Sequence, residues 1–303
     1  NEQGGRALPT TDDGETAPTA SKVATSPITW GYVGGGRWGV DLPPERILLE
    51  MASIGFAATE VGVPGFLPDD PVEAAGVLDH FGLVACSGPV SFVVHEDTSR
   101  AEALDRVRAA AARLAALGGS ALITVPKRGN LAIGDSLPAD GWDRLIDGLA
   151  DVGRIATEHG LTQALHPHVG SLIETADDML TLASRSDVGW CLDTAHVASG
   201  GLTPSEFAAA IEGRINLVHL KDLDIELGTR MVAHTIGFDE AIRGGVFVPL
   251  GQGDLDVETI VATLPRDVWW VLEQDQALPT VPPEGEGPML DAAASLAAYR
   301  AAV

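Results

Sequence analysis

The residues whose types and spacing could do chemistry sit at the ends of short apolar runs. QALHPHVG (163–170) carries His166 and His168, and residues two apart on a strand leave the same face. LDTAH (192–196), HLKD (219–222) and EQD (273–275) close in a similar way. They supply Asp193 and His196, then His219, Lys221 and Asp222, then Glu273 and Asp275. Upstream, ATEVG (58–62) holds Glu60 between apolar neighbours. A lone HxH pair is an ordinary polar strand end. Five apolar runs with ionisable groups are a different matter, because such groups are costly to bury unless paired or metal-bound. Imidazole with carboxylate and no thiolate suits a divalent ion such as Mn²⁺, Co²⁺, Zn²⁺ or Mg²⁺. The expected ligand set is one residue per consecutive run: His166, Asp193, His219 and Glu273. The competing expectation is that these groups simply pair with one another.

For the groups to meet, their runs must be neighbouring strands. Eight strand-like runs are predicted: 28–33, 58–62, 83–88, 121–125, 161–166, 188–193, 215–221 and 269–274. Helical spacing alternates with them over 43–54, 71–81, 99–117, 139–159, 175–184, 204–212, 257–264 and 289–302. Ser99 and Thr203 are the expected N-caps of two of these helices. Residues 222–253 read as a long irregular insertion with a short helix near 239–242, suited to cover a site or reach a partner. This alternation predicts an α/β chain forming a single (β/α)8 barrel over residues 27–303, whose site forms at the carboxyl ends of the strands. A doubly wound sheet would carry a glycine fingerprint after its first strand. GGGRWG (34–39) lacks that spacing and opens no helix. Residues 1–26, rich in Thr, Ala, Gly, Pro and acid without periodicity, are expected to be a flexible leader.

Composition narrows the function classes. A net charge of −24 over 303 residues argues against nucleic acid and anionic membranes as partners. No apolar run reaches the roughly eighteen residues of a membrane span. Cys86 and Cys191 lie in apolar runs and are expected as buried free thiols, which fits a reducing, cytoplasmic compartment.

Several long motifs, in order, resemble a known family. They are ITWGYVGGGRW (28–38), GFAATEVGVPGFLP (55–68), ALHPHVGSLIET (164–175), WCLDTAHVASGG (190–201), LVHLKD (217–222), GVFVPLGQGDLD (245–256) and WVLEQD (270–275). The chain from Ile28 onward resembles the xylose isomerase-like barrels of the sugar isomerase/epimerase superfamily, and within them the inosose dehydratase branch. The resemblance implies a divalent metal, with Asp193, His219 and Glu273 at the positions where the family keeps an Asp, a His and a Glu ligand. Epimerase relatives commonly have Glu where this chain has His166, as the dehydratase-like branch tends to have.

The implied activity is that of a metal-dependent hydro-lyase. It would remove water from a keto-cyclitol or keto-sugar through an enediolate, with Mn²⁺ or Co²⁺ the leading ions. Lys221 is the expected base or enediolate-stabilising cation, unless it only pairs with Asp222 or another acid. His168 and His196 are expected as acids or hydroxyl ligands, and Glu60 as a hydroxyl ligand or base. Trp30, Trp38 and Phe66 are expected as an apolar wall, and Asp275 as a substrate contact. Rival outcomes are ketose isomerisation or epimerisation, β-elimination from a 3-keto glycoside, or a non-catalytic sugar-binding barrel. Small polyols, keto-sugars or keto-glycosides would be the ligands, and a homo-oligomer is admitted by analogy with the family.

Overall fold

The computed structural model describes residues 22–303. Parallel strands β1 (Val23–Thr25), β2 (Ala58–Thr59), β3 (Val84–Ala85 continued as Ser87–Phe92), β4 (Ala121–Pro126), β5 (Thr162–Leu165), β6 (Trp190–Asp193), β7 (Ile215–Leu220) and β8 (Trp269–Leu272) form one sheet. Its pairing runs β2–β1–β8–β7–β6–β5–β4, and the two parts of β3 flank it at the ends. Those parts are separated only by Cys86, whose N–H donates to Thr59 O while its carbonyl accepts from Ser120 N–H. The sheet therefore closes on itself through one residue, giving an eight-stranded barrel.

The first strand is not where the apolar density of ITWGYV placed it. Val23–Thr25 pairs with Trp270–Leu272, and Pro27–Trp30 forms a 3₁₀ turn that ends at Gly31 with φ 71°. Pro27 explains the break, since it lacks the N–H that a ladder needs. Residues 23–26 thus belong to the barrel rather than to a leader, and residues 1–21 lie outside the described residues. The helix expected from Ser99 begins two residues earlier, spanning Asp97–Ala116, and Ser99 Oγ donates to the carbonyls of Val93 and Glu96. Thr203 caps Pro204–Ala210 as expected, in a capping box with Glu206.

Three apolar layers stack around the strands. The outer ring buries one face of each strand against the helices, with Ile47, Leu114, Leu149, Trp190 and Trp270 among its members. The barrel interior is filled by smaller groups, including Ala24, Ala58, Ala121, Ala164 and the free thiols of Cys86 and Cys191. A third cluster, containing Trp38, Leu223, Met231, Ile242 and Phe247, forms a cap over the carboxyl ends of the strands. Much of this cap comes from residues 222–248, which are far more regular than expected. They hold helices Ile225–Val232 and Phe238–Arg243 and an antiparallel pairing of Asp222–Leu223 with Phe247–Val248. Asp222 holds the exit of this insertion by accepting from the N–H groups of Gly251, Gly253 and Leu255. Among the described residues, no helix is long and apolar enough to cross a membrane.

Candidate active site

The polar strand ends converge between the small-residue interior and the cap. Asp193 ends β6 and serves two purposes with its two oxygens. Oδ1 caps the helix Thr194–Ser199, accepting from Ala195 N–H (3.0 Å) and His196 N–H (2.8 Å). That bond pattern turns Oδ2 toward the barrel axis, 3.1 Å from His166 Nε2 and 3.6 Å from His219 Nδ1. His219 Nδ1 lies 3.0 Å from Glu273 Oε2. Donors about 2.1 Å from a shared ion lie roughly 3.0–3.4 Å apart in octahedral or tetrahedral geometry; the 3.1 and 3.0 Å separations match this and the 3.6 Å one is slightly longer. Asp193, His219 and Glu273 form one compact donor group, and His166, Asp193 and His196 form another that shares the aspartate. Two buried features support the fit. His219 Nδ1 has no hydrogen-bond partner despite its nearness to Glu273, and neither ring nitrogen of His196 has one. Such orphaned groups are expensive unless something else engages them.

Lys221 stands among the same carboxylates. Its Nζ lies 2.8 Å from Asp275 Oδ1, 2.9 Å from Glu273 Oε2 and 3.4 Å from Asp193 Oδ2, with the Phe247 ring 5.1 Å away. Burial works against the ammonium, but Asp193, Asp275 and Glu273 outweigh it and raise its pKa well above the ordinary value. These carboxylates favour the ammonium form of Lys221, and the acids it pairs with are Asp275 and Glu273. It does not pair with Asp222, which is committed to the backbone of residues 251–255. Burial also opposes ionisation of Asp193 and Glu273, yet Lys221 holds both well below the usual carboxylate range. Burial pushes the third carboxyl, Asp275, up to about 6 against the pull of Lys221.

Burial favours the neutral form of the other two histidines. Burial, reinforced by His196 and His166, pushes His168 well below its ordinary pKa. Burial pushes His196 down to about 3, the nearby Asp193 notwithstanding. Their rings lie 4.3 Å apart, and the cap residues Phe238 and Phe247 contact His168 and His196 respectively. His168 Nδ1 is 2.7 Å from the carbonyl of Val169. A carbonyl only accepts, so Nδ1 carries the proton and Nε2 keeps the free lone pair. Glu60 is buried beside His219, with Oε1 3.0 Å from His219 Nε2.

These groups open into a cavity of about 190 Å³, lined by Glu60, His166, His168, His219, Lys221, Glu273 and Asp275. Its apolar wall is made by Ile28, Tyr32, Val63, Pro89, Ile123 and Val125. The three aromatic residues expected there are elsewhere. Trp30 is fully buried in the outer core, donating from Nε1 to Glu50 Oε2, and Phe66 packs edge-on against Tyr32. Trp38 belongs to the cap, against Phe238, with its Nε1 donating to Asp239 Oδ1. Large apolar residues must be buried somewhere, and sequence does not say in which layer. Conversely, Lys127 and Ser91 line the cavity without having been singled out. Lys127 directly follows the end of β4, and that position was the available signal. A larger hollow of about 860 Å³ lies near the opposite, amino-terminal ends of β7 and β8, around Asn216 and Asp267. It lies far from the histidine–carboxylate cluster.

Fold and cluster together define a (β/α)8 barrel with a polar strand-end centre. The family model of the xylose isomerase-like TIM barrel matches residues 48–298, and the chain belongs to that family. It is 26% identical over 271 residues to an inosose dehydratase of Geobacillus kaustophilus, covering 84% of this chain and 87% of that protein. It is 27% identical over 276 residues to the rhizopine catabolism protein MocC of Rhizobium meliloti, covering 87% and 84%. Among solved structures, the 3-keto-D-glucoside 4-epimerase YcjR of E. coli superposes with a TM-score of 0.65 at 16% identity, over 93% of this chain and 99% of that one. The IolI protein with a bound zinc atom gives 0.66 at 16%, over 93% and 98%.

Proposed function

We propose that the protein is a divalent-metal-dependent hydro-lyase acting on a keto-cyclitol or keto-sugar. The observation that carries this is the convergence of Asp193 Oδ2, His219 Nδ1 and Glu273 Oε2 on one point beside a small cavity with an apolar wall. His166, Asp193, His219 and Glu273 would hold the ion, with Mn²⁺ or Co²⁺ preferred for this nitrogen and oxygen donor set. When bound, the ion supplies Lewis-acid polarisation of the substrate's carbonyl.

The chain's own groups fit the remaining tasks. His168 offers a neutral imidazole on the cavity wall, with Nε2 free to take the acidified α-proton. Lys221 places a fixed positive charge beside the carboxylate cluster, where it stabilises negative charge developing on substrate oxygen. Asp275, the most easily protonated of the three carboxyls around Lys221, could return a proton to a departing hydroxyl. His196, shielded by the cap, does not line the cavity and sits behind His166 and His168 with both ring nitrogens unpartnered. The inosose dehydratases among the curated relatives support dehydration over isomerisation, epimerisation or glycoside elimination.

Metal analysis of the purified protein, then turnover of keto-inositols, ketoses and 3-keto glycosides by the Mn²⁺ and Co²⁺ forms, tests the reading. Near-stoichiometric metal and a dehydrated product are expected. No uptake of any divalent ion would refute the mechanism, and an isomerised but undehydrated product would move the assignment to an isomerase.

A further inference from the structure

Glu60 was expected to touch substrate, but its strongest contacts are with the protein. It follows the two-residue strand β2 and is 3% exposed. Oε1 sits 3.0 Å from His219 Nε2 and accepts from Ser87 Oγ at 2.9 Å. Ser87 is placed by the seam of the barrel, being the first residue of β3 after Cys86, with its carbonyl accepting from Val61 N–H. The pair therefore bridges the weakly paired side of the barrel to a histidine on β7.

We propose that Glu60, backed by Ser87, is a positioning residue that makes His219 a metal ligand through Nδ1. The proposal rests on the metal reading above. Of the carboxylates around His219, Glu60 alone meets the ring with hydrogen-bond geometry, and a carboxylate accepts only, so in the neutral ring Nε2 carries the proton. That assigns the Nε2–H tautomer to the neutral ring and leaves the Nδ1 lone pair directed at Asp193 and Glu273, where Nδ1 has no hydrogen-bond partner of its own. Outer hydrogen bonds of this kind fix ring orientation and raise the basicity of the ligand, and losing one typically costs about 10–100-fold in metal affinity. Ser87 Oγ donates to the same Oε1 that meets His219, while Glu60 also lines the cavity.

The test uses the Co²⁺ form of the full chain, with metal affinity from chelator competition and the proton NMR signal of the exchangeable His219 Nε2–H, shifted by the paramagnetic ion. Glu60→Ala should weaken Co²⁺ binding about 10–100-fold and lose the N–H signal to fast exchange. Glu60→Gln, whose amide oxygen still accepts, should restore both to within a few-fold. Ser87→Ala, a milder change that keeps the carboxylate, should fall between them. If the wild type loads cobalt and Glu60→Ala loads it equally tightly with its N–H signal intact, while only KM rises, the positioning role is refuted and Glu60 is a substrate contact. A wild type that takes up no cobalt refutes the metal reading and this role with it.

Discussion

Replacing Lys221 by Met tests the electrostatic account most directly. The ammonium lies 2.8–3.4 Å from Asp275, Glu273 and Asp193, and all four residues are buried. At an effective dielectric of about 20, one contact at 2.9 Å is worth roughly 6 kcal/mol of gross attraction. Desolvation of the lysine offsets part of it, so the net loss on removing one partner of a buried cluster is about 3–5 kcal/mol. For a domain of this size about 2 °C accompanies each kcal/mol, so the metal-free variant should melt about 6–10 °C below the metal-free wild type. A bound divalent ion would restore positive charge among the same oxygens. The gap in Tm between metal-loaded and chelated protein should therefore be wider in Lys221→Met, and Co²⁺ should bind about tenfold more tightly or better. Turnover should fall by about 10²–10³, as for the loss of one electrostatic stabiliser. Paired melting curves with and without chelator, with cobalt titration, measure all of this. A metal-free Tm lowered by less than about 2 °C, or weaker metal binding in the variant, would refute the reasoning.

Other expectations follow from named contacts. His166→Ala should lose metal affinity, whereas His168→Ala should keep its metal and lose turnover by about 10²–10⁴; metal content with kcat separates the two roles, and metal loss from His168→Ala alone reverses them. In metal-free protein, burial holds His196 near 3, below the roughly 6.5 of an unfolded histidine, so its neutral form stabilises the fold above about pH 6.5 and that stability drains as pH falls toward 3. At about 1.4 kcal/mol per unit, this share amounts to about 2 kcal/mol between pH 6.5 and 5, and urea unfolding of His196→Gln should lack it. Identical pH losses in the two proteins would contradict the assignment. Gly39 adopts φ 135°, and a Cβ there would collide with the carbonyl of Leu278. Gly39→Ala should therefore cost at least about 2 kcal/mol in a denaturant melt.

The alternation of apolar runs made the barrel legible, since only a parallel sheet needs a helix between each pair of strands. β1 was misplaced because VAT is short and less apolar than the neighbouring ITW, before which Pro27 diverts the chain into a turn. The meeting of His166, Asp193, His219 and Glu273 was readable because each ends a consecutive strand and the barrel brings such ends together. What each group does there was less readable. Lys221 reads equally as a base or a cation until its three carboxylate neighbours, which favour the ammonium, are seen, and two of them stand more than fifty positions away in the chain. Glu60 looked like a substrate ligand because nothing in ATEVG announces a histidine across the barrel. Trp38 and the helix Ile225–Val232 were missed as parts of a cap because their packing partners lie on separate loops.

The closure through Cys86 also bears on where the barrel breathes. β1, β2 and the first part of β3 pair over only one to three residues each, whereas Ser87–Phe92 pairs with β4 over six. Amide hydrogens along β4 and β5 should exchange only on global unfolding, and those flanking Ala58 and Val84 through smaller, more frequent openings. Glu60 rides on the loosely stitched side and Ser87 marks its boundary with the six-residue pairing, while the four ligand positions lie at the ends of β5 to β8, of which β5 and β6 share a single register pair. An ion gripped through His219 would couple the two sides, slowing exchange in β2 although no ligand lies on it.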